Sequence, residues 1–116
     1  MDKLEKYRQV IQAVLTEYAS RKLLNEEKAD EFARQTVFDT KNDHYQVMNV
    51  GWEEFDRTFS IPIHIDIKSG QVWVQQNMTD YDFIEDLLKK GIAKEDIILA
   101  FHPPYKRPYT GFGVGV

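Results

Sequence analysis

The side chains in this chain that could do chemistry are few, and the most suggestive of them stand two residues apart. His64 and Asp66 alternate with isoleucines in PIHIDIKSGQVWVQQ, and Trp73 and Gln75 fall on the same side once the chain has turned back at Ser69-Gly70. An imidazole and a carboxylate on one strand face make two ligands for a cation. A protein metal site needs at least a third, and the spacing places none, so no metal site and no cofactor are assigned. Asp66-Ile67-Lys68 also has the acid-x-Lys spacing of restriction-type nucleases, in which the acid holds magnesium and the lysine helps to activate water. That reading needs a second metal-binding acid from Asp43, Glu53 or Asp56, and a motif this short counts only in its structural context. Two further readings stay open. The set is a recognition patch running across a hairpin, or the tail covers the face and His64 and Trp73 fill a secondary core with one polar partner each.

His102, Tyr105, Lys106, Arg107 and Tyr109 form a cluster of cations and aromatics. Such a mixture suits phosphate contact with base stacking, and equally a protein interface anchored by Tyr and Arg. Two cations are few for DNA, so a partner interface is the better functional reading, with Phe112 among its contacts; the alternative is a tail packed along its own sheet. Gly111, Gly113 and Gly115 alternate with Phe112, Val114 and Val116. A dinucleotide fingerprint must lie between a strand and a helix, so this alternation reads as an extended segment able to add to a sheet edge in its own subunit or a partner. No Ser-His-Asp arrangement suggests itself.

These residues need a sheet to hold them, and the sheet is organised around 57–77. Phe59, Ile61, Ile63, Ile65 and Ile67 alternate with Thr58, Ser60, Pro62, His64 and Asp66, the period of a strand with one buried face. A two-residue turn at Ser69-Gly70 pairs Ile67 with Val72, Ile65 with Val74 and Ile63 with Gln76, and sets Asp66 beside Trp73 and His64 beside Gln75. Upstream, 35–40 and 44–52 read as two strands about a turn at Lys41-Asn42-Asp43. A second turn at 53–56 completes a four-stranded antiparallel meander.

Helices flank the meander. Over 2–22, Leu4, Tyr7, Val10, Ile11, Val14, Leu15 and Tyr18 make one apolar stripe behind an Asp2 cap with Glu5 three residues on. The polar stretch 23–33 is a connector with room for a short helical turn. A second helix is expected over 80–90, capped by Thr79, burying Phe83, Ile84, Leu87 and Leu88 and ending at Gly91. A turn at 93–96 leads to a short buried strand at 97–101, which His102-Pro103-Pro104 ends, and the remainder is an extended tail. The class is α+β, a two-layer arrangement with both helices on one face of the sheet.

The totals set bounds. A chain of 116 residues is most simply one domain, 1–116, and its 42% hydrophobic and 29% charged content is ordinary for a globular protein. With no cysteine, thiolate catalysis, disulfides and cysteine-based zinc or iron-sulfur sites are excluded. No apolar run is long enough for a membrane span or an export signal, which together with the missing cysteines points to the cytoplasm. A net charge of -4 argues against the broad basic footprint of an independent nucleic-acid binder.

The order helix, meander, helix, strand, tail comes with distinctive blocks: DKLEKYRQVIQ at the start, FDT with DHYQVMNVGW, PIHIDIKSGQVWVQQNMTD, and GIAKEDIILAFHPPYKRPYTGFGVG at the close. Over nearly its whole length the chain resembles the XisI family, the fdxN element excision controlling factor of cyanobacteria. The resemblance implies a non-enzymatic regulatory protein that acts with a second factor, XisH, in programmed excision of a DNA element by a separate site-specific recombinase. It brings no catalytic residues with it. The expected partner contacts are Tyr105, Lys106, Arg107, Tyr109 and Phe112 in the tail and His64, Asp66 and Trp73 on the hairpin, with self-association through the open face or tail as a further expectation. A weak DNA-binding module and the Asp66-Lys68 nuclease are the alternatives.

Overall fold

The computed structural model describes residues 2–21 and 32–115. Its elements are α1 (Lys3–Ser20), β1 (Phe32–Asp39), β2 (His44–Glu53), β3 (Asp56–Lys68), β4 (Gln71–Asn77), α2 (Phe83–Lys89), a 3-10 turn (Lys94–Asp96), β5 (Ile97–Leu99) and a 3-10 helix (Pro104–Tyr109). Most of the connector expected at 23–33 lies outside the described residues, and its last two positions, Phe32 and Ala33, already belong to β1. The strands form one sheet in the order β1-β2-β3-β4-β5. The first four are the expected antiparallel meander, and β5 adds a fifth strand parallel to β4. Parallel neighbours need a crossover connection, and α2 supplies it.

The caps and stripes of the helices place both on one face of this sheet. Asp2 accepts a hydrogen bond from the Glu5 amide at 2.8 Å, and Tyr7, Ile11, Val14, Leu15 and Tyr18 of α1 are buried. They meet Phe83 and Leu87 of α2 and the inward side chains Tyr45, Val47, Ile63, Ile65, Ile67, Val72, Val74, Ile97 and Leu99. The cap of α2 corrects the expectation at Thr79. Asp82 accepts from the Glu85 amide, while the Thr79 hydroxyl lies within hydrogen-bond reach of Asn77 Oδ1 and the Tyr81 carbonyl, so the helix starts at Phe83. It ends where expected, with the Gly91 amide donating to the Leu88 carbonyl. No helix among the described residues is long and apolar enough to cross a membrane.

Two bulges in the sheet depart from the expected register. The β3–β4 hairpin pairs Ile67 with Val72, Asp66 with Trp73 and Ile65 with Val74, through a turn in which Ser69 and Gly70 take φ of 54° and 75°. Positive φ at both positions gives the turn a twist that matches the strands. An extra residue at Gln75 then shifts the ladder, so His64 stands opposite Gln76, and Ile63 opposite Asn77, rather than opposite Gln75 and Gln76. The second bulge is in β3 itself. Between the pairs Val47–Ile63 and Asn49–Ser60, β3 holds one residue more than β2, and Pro62 lies in that interval. Proline cannot donate to a ladder and is found within sheets at edges, strand starts and bulges. The bulge reverses side-chain parity, which ends the buried face at Ile63 and leaves Phe59, expected inside, 65% exposed.

The tail is not extended throughout. Pro104–Tyr109 winds as a 3-10 helix with proline in its first turn, where a missing amide costs no hydrogen bond. Beyond it, Gly113 bridges in parallel to Ile98 and its amide donates to the Ile97 carbonyl at 2.8 Å. The glycine-alternating segment thus adds to the β5 edge of its own sheet.

Candidate functional site

The sheet face away from the helices is divided. Over β4 and β5 the tail covers it. Over β1, β2 and β3 it is open, and there Val37, Asp39, His44, Gln46 and His64 line a shallow pocket of about 310 Å³. Beside it, Asp66 joins the two lining histidines. His44 Nδ1 lies 2.6 Å and His64 Nε2 2.7 Å from the same Asp66 oxygen, Oδ1. Gln75 Nε2 donates to the other oxygen, Oδ2, at 3.3 Å. Gln46 Nε2 donates to His64 Nδ1 at 2.8 Å, which puts the His64 ring proton on Nε2, aimed at Asp66.

His44 is the member of this cluster that the sequence reading missed, and the Pro62 bulge explains why. The β2–β3 turn closes on the pair Glu53–Asp56. Counted from that turn without interruption, His44 falls opposite Ile65, on the helix-packed face. The extra residue at Pro62 moves it opposite Asp66, on the open face. A proline in a strand with neighbours on both sides was the available signal, because such a strand must carry a bulge there.

The electrostatics of the cluster follow from its hydrogen bonds. Burial pushes the Asp66 carboxyl up, but the bonds from His44 and His64 outweigh it and hold the group below its ordinary value. The Asp66 hydrogen bond holds the His44 imidazole above its ordinary value. Two imidazoles about one ionised carboxylate, with the His44 side chain 53% exposed, can exchange protons with solvent or hold a cation in place of the shared hydrogens.

The other expected site residues fall into separate places. Trp73 is buried beneath the tail. Its Nε1 donates to the Lys68 carbonyl, the Lys68 ammonium lies 3.9 Å from the ring centroid and the Arg107 guanidinium 5.5 Å from it. A Cβ at Gly115 would come within 2.5 Å of the same ring. Lys68 is therefore stacked on Trp73 beside Asp66, and none of the three acids considered for a nuclease joins them. Asp43 is gripped by Arg8 Nε and Nη2 and by the Tyr45 hydroxyl, at 2.8, 3.1 and 2.9 Å. Glu53 and Asp56 pair at the far end of β2 and β3, about 30 Å away at roughly 3.3 Å per residue.

In the tail, Tyr105, Lys106 and Tyr109 are exposed. Arg107 turns inward, donating to the His102 and Ala100 carbonyls, and Phe112 packs against the core with the Lys94 ammonium over its ring.

Comparison with known proteins places this arrangement. The family described as XisI protein matches residues 1–114. The structure is similar to the crystal structure of a XisI-like protein from Anabaena variabilis ATCC 29413, with 42% identity, coverage of 97% of this chain and 99% of that one, and a TM-score of 0.86. It is also similar to that of the fdxN element excision controlling factor XisI from the same organism, with 31% identity, coverage of 98% and 100%, and a TM-score of 0.80. No curated protein matches the chain. The chain belongs to the XisI family.

Proposed function

We propose that this chain works as one domain, 1–116, and is a non-enzymatic accessory protein of the cytoplasm. In this reading it acts with an XisH-like partner to control excision of a DNA element by a separate site-specific recombinase. The observation that carries the reading is its likeness, across 98% of its length, to a protein called an excision controlling factor. The surface supports it in kind. Tyr105, Lys106 and Tyr109 stand outward on one short 3-10 helix, and Tyr and cations of this sort anchor protein interfaces. Arg107, Phe112 and Trp73 serve that surface from beneath, by fastening the segment to the sheet. His64 and Asp66 extend the contact region along the open face. Exposed Trp52, Phe55 and Phe59 at the far end of the β2–β3 hairpin give a second surface, suited to self-association. Direct DNA contact is no part of the reading, because the net charge is -4 and only one of the two tail cations points outward.

Co-expression with an XisH-like protein from the same source tests it. A stable complex is expected, weakened when Tyr105, Lys106 and Tyr109 are changed together to Ala in a chain that still folds. No complex, alongside magnesium-dependent DNA cleavage by this chain alone, would overturn the reading in favour of an enzyme built on Asp66 and Lys68.

A further inference from the structure

The His44, His64 and Asp66 cluster has the composition and the support of a metal centre. We propose that it binds a divalent first-row transition metal through His44 Nδ1, His64 Nε2 and Asp66 Oδ1. Ligand atoms from these three residues all lie within 4.8 Å of one another, and two imidazoles with one carboxylate, leaving positions open, is a set that zinc and ferrous iron accept. The proposal is independent of the excision reading.

The three groups are drawn together by hydrogen bonds, and an ion would re-space them. Bonds of about 2.0–2.2 Å to the metal put neighbouring ligand atoms about 2.9 Å apart at right angles and about 3.4 Å apart in a tetrahedron. The nitrogens now lie 2.6 and 2.7 Å from Asp66 Oδ1. Side-chain rotation must part each nitrogen from Oδ1 by a few tenths of an ångström and draw the most separated ligand atoms, which lie within 4.8 Å of one another, to about 3.4 Å or less. The ion takes the place of the two N–H protons now aimed at the carboxylate. His44 then carries its proton on Nε2, toward solvent, and His64 carries its own on Nδ1.

That second proton needs an acceptor, and the structure has one. Gln46 sits 2.8 Å from His64 Nδ1, and turning its amide over replaces a donor with the Oε1 acceptor that a ligating imidazole requires behind it. Gln75, on Asp66 Oδ2, holds the carboxylate so that Oδ1 faces the histidines. Both bulges described above flank His64, and bulges re-aim side chains beside functional sites. Asp39 lines the same pocket but does not supply a fourth ligand, since its oxygens accept from the Lys41 and Asn42 amides and the Asn42 side chain. The remaining positions face the pocket of about 310 Å³, open to water or to an incoming side chain of a partner.

Titration of chelator-treated full-length protein with zinc sulfate by calorimetry, and with cobalt chloride by visible absorption, tests the proposal. We expect one equivalent of zinc and visible cobalt bands of an imidazole- and carboxylate-ligated ion. Affinity should fall by roughly tenfold or more in His44→Ala and Asp66→Asn and stay unchanged in His102→Ala, the one histidine outside the cluster. Gln46→Glu, which supplies the acceptor without rearrangement, should tighten binding, a readout that does not depend on a ligand variant folding. Failure of the folded protein to bind, binding unaltered in His44→Ala and Asp66→Asn, or loss of binding in His102→Ala would each overturn it.

Discussion

The tail is fastened to the sheet at Gly113, and replacing that glycine with alanine tests how much of the fold depends on the attachment. A Cβ at Gly113 would lie 2.4 Å from the Glu95 carbonyl oxygen and 2.5 Å from Ile98 Cδ1. The Glu95 backbone has little freedom to give way, because the turn it belongs to is held by Asp96, which accepts from the Tyr7 hydroxyl at 2.6 Å and pairs with Lys3 at 2.8 Å. The tail must therefore lift. The Gly113 to Ile97 hydrogen bond then breaks, a net loss of about 1 kcal/mol. One face of the Trp73 indole loses its cover; a Trp buries about 150–250 Å² in all, and returning about 80 Å² of it to water costs about 2 kcal/mol. The total, about 3 kcal/mol, is roughly 12 °C in Tm for a chain of this size. Gly70→Ala is the control. That glycine takes φ of +75° with no atom within 4 Å of the added Cβ, so left-handed strain of about 1–2 kcal/mol is the whole effect. The assay is thermal unfolding together with tryptophan emission in a Trp52→Phe background, so that Trp73 alone reports. Gly113→Ala should melt lower than Gly70→Ala and shift the emission to the red. A Gly113→Ala melt within about 2 °C of the parent, with unshifted emission, would refute the reasoning.

Three further outcomes follow from the same contacts. The Asp66 carboxyl is held below its ordinary 3.8, so its contribution is present above that value and fades as pH falls through the lowered one; His44 is held above 6.5, so its contribution is full below 6.5 and fades as pH rises through the raised one. The pair should thus stabilise most between pH 3.8 and 6.5, and an NMR titration should place the His44 midpoint above 6.5 in the parent and lower in Asp66→Asn. Arg107→Ala should cost about 1–2 kcal/mol in urea unfolding, having lost two carbonyl partners and its place over Trp73, while Lys106→Ala should stay within about 0.5 kcal/mol. Asp82→Ala should cost about 1 kcal/mol as the true cap of α2, and Thr79→Ala should leave α2 helicity, read by circular dichroism, unchanged.

What was legible in the sequence and what was not divides along the range of the interactions. The α1 stripe, the Asp2 cap, the Gly91 stop and the Ser69-Gly70 turn are decided within a few residues of themselves, and they stand as the alternation and spacing indicated. Pairing between strands depends on every residue between the turn and the pair. One bulge at Pro62 was therefore enough to move His44 from one face to the other and to turn Phe59 out of the expected core. The same non-local accounting hid the parallel partner of β5, since nothing in IIL states which edge it joins. For the hairpin's second face, both open readings hold in part. Trp73 lies in a covered secondary core, and His64 and Asp66 lie on the open half, because the tail reaches only as far as β4. The tail cluster also split in a way that composition does not reveal, since Arg107 is turned in by the His102 and Ala100 carbonyls while its neighbour Lys106 stays exposed.

In the function proposed above, this chain governs excision through a partner while doing no chemistry on DNA itself. The direct measurement is the frequency of element excision from a reporter carrying the cognate sites, with the recombinase and the XisH-like partner supplied and this chain present, absent, or changed at Tyr105, Lys106 and Tyr109. The account predicts that excision depends on the chain and that the triple variant, folded, behaves as the chain's absence does. Excision at the same frequency with and without the chain would contradict it.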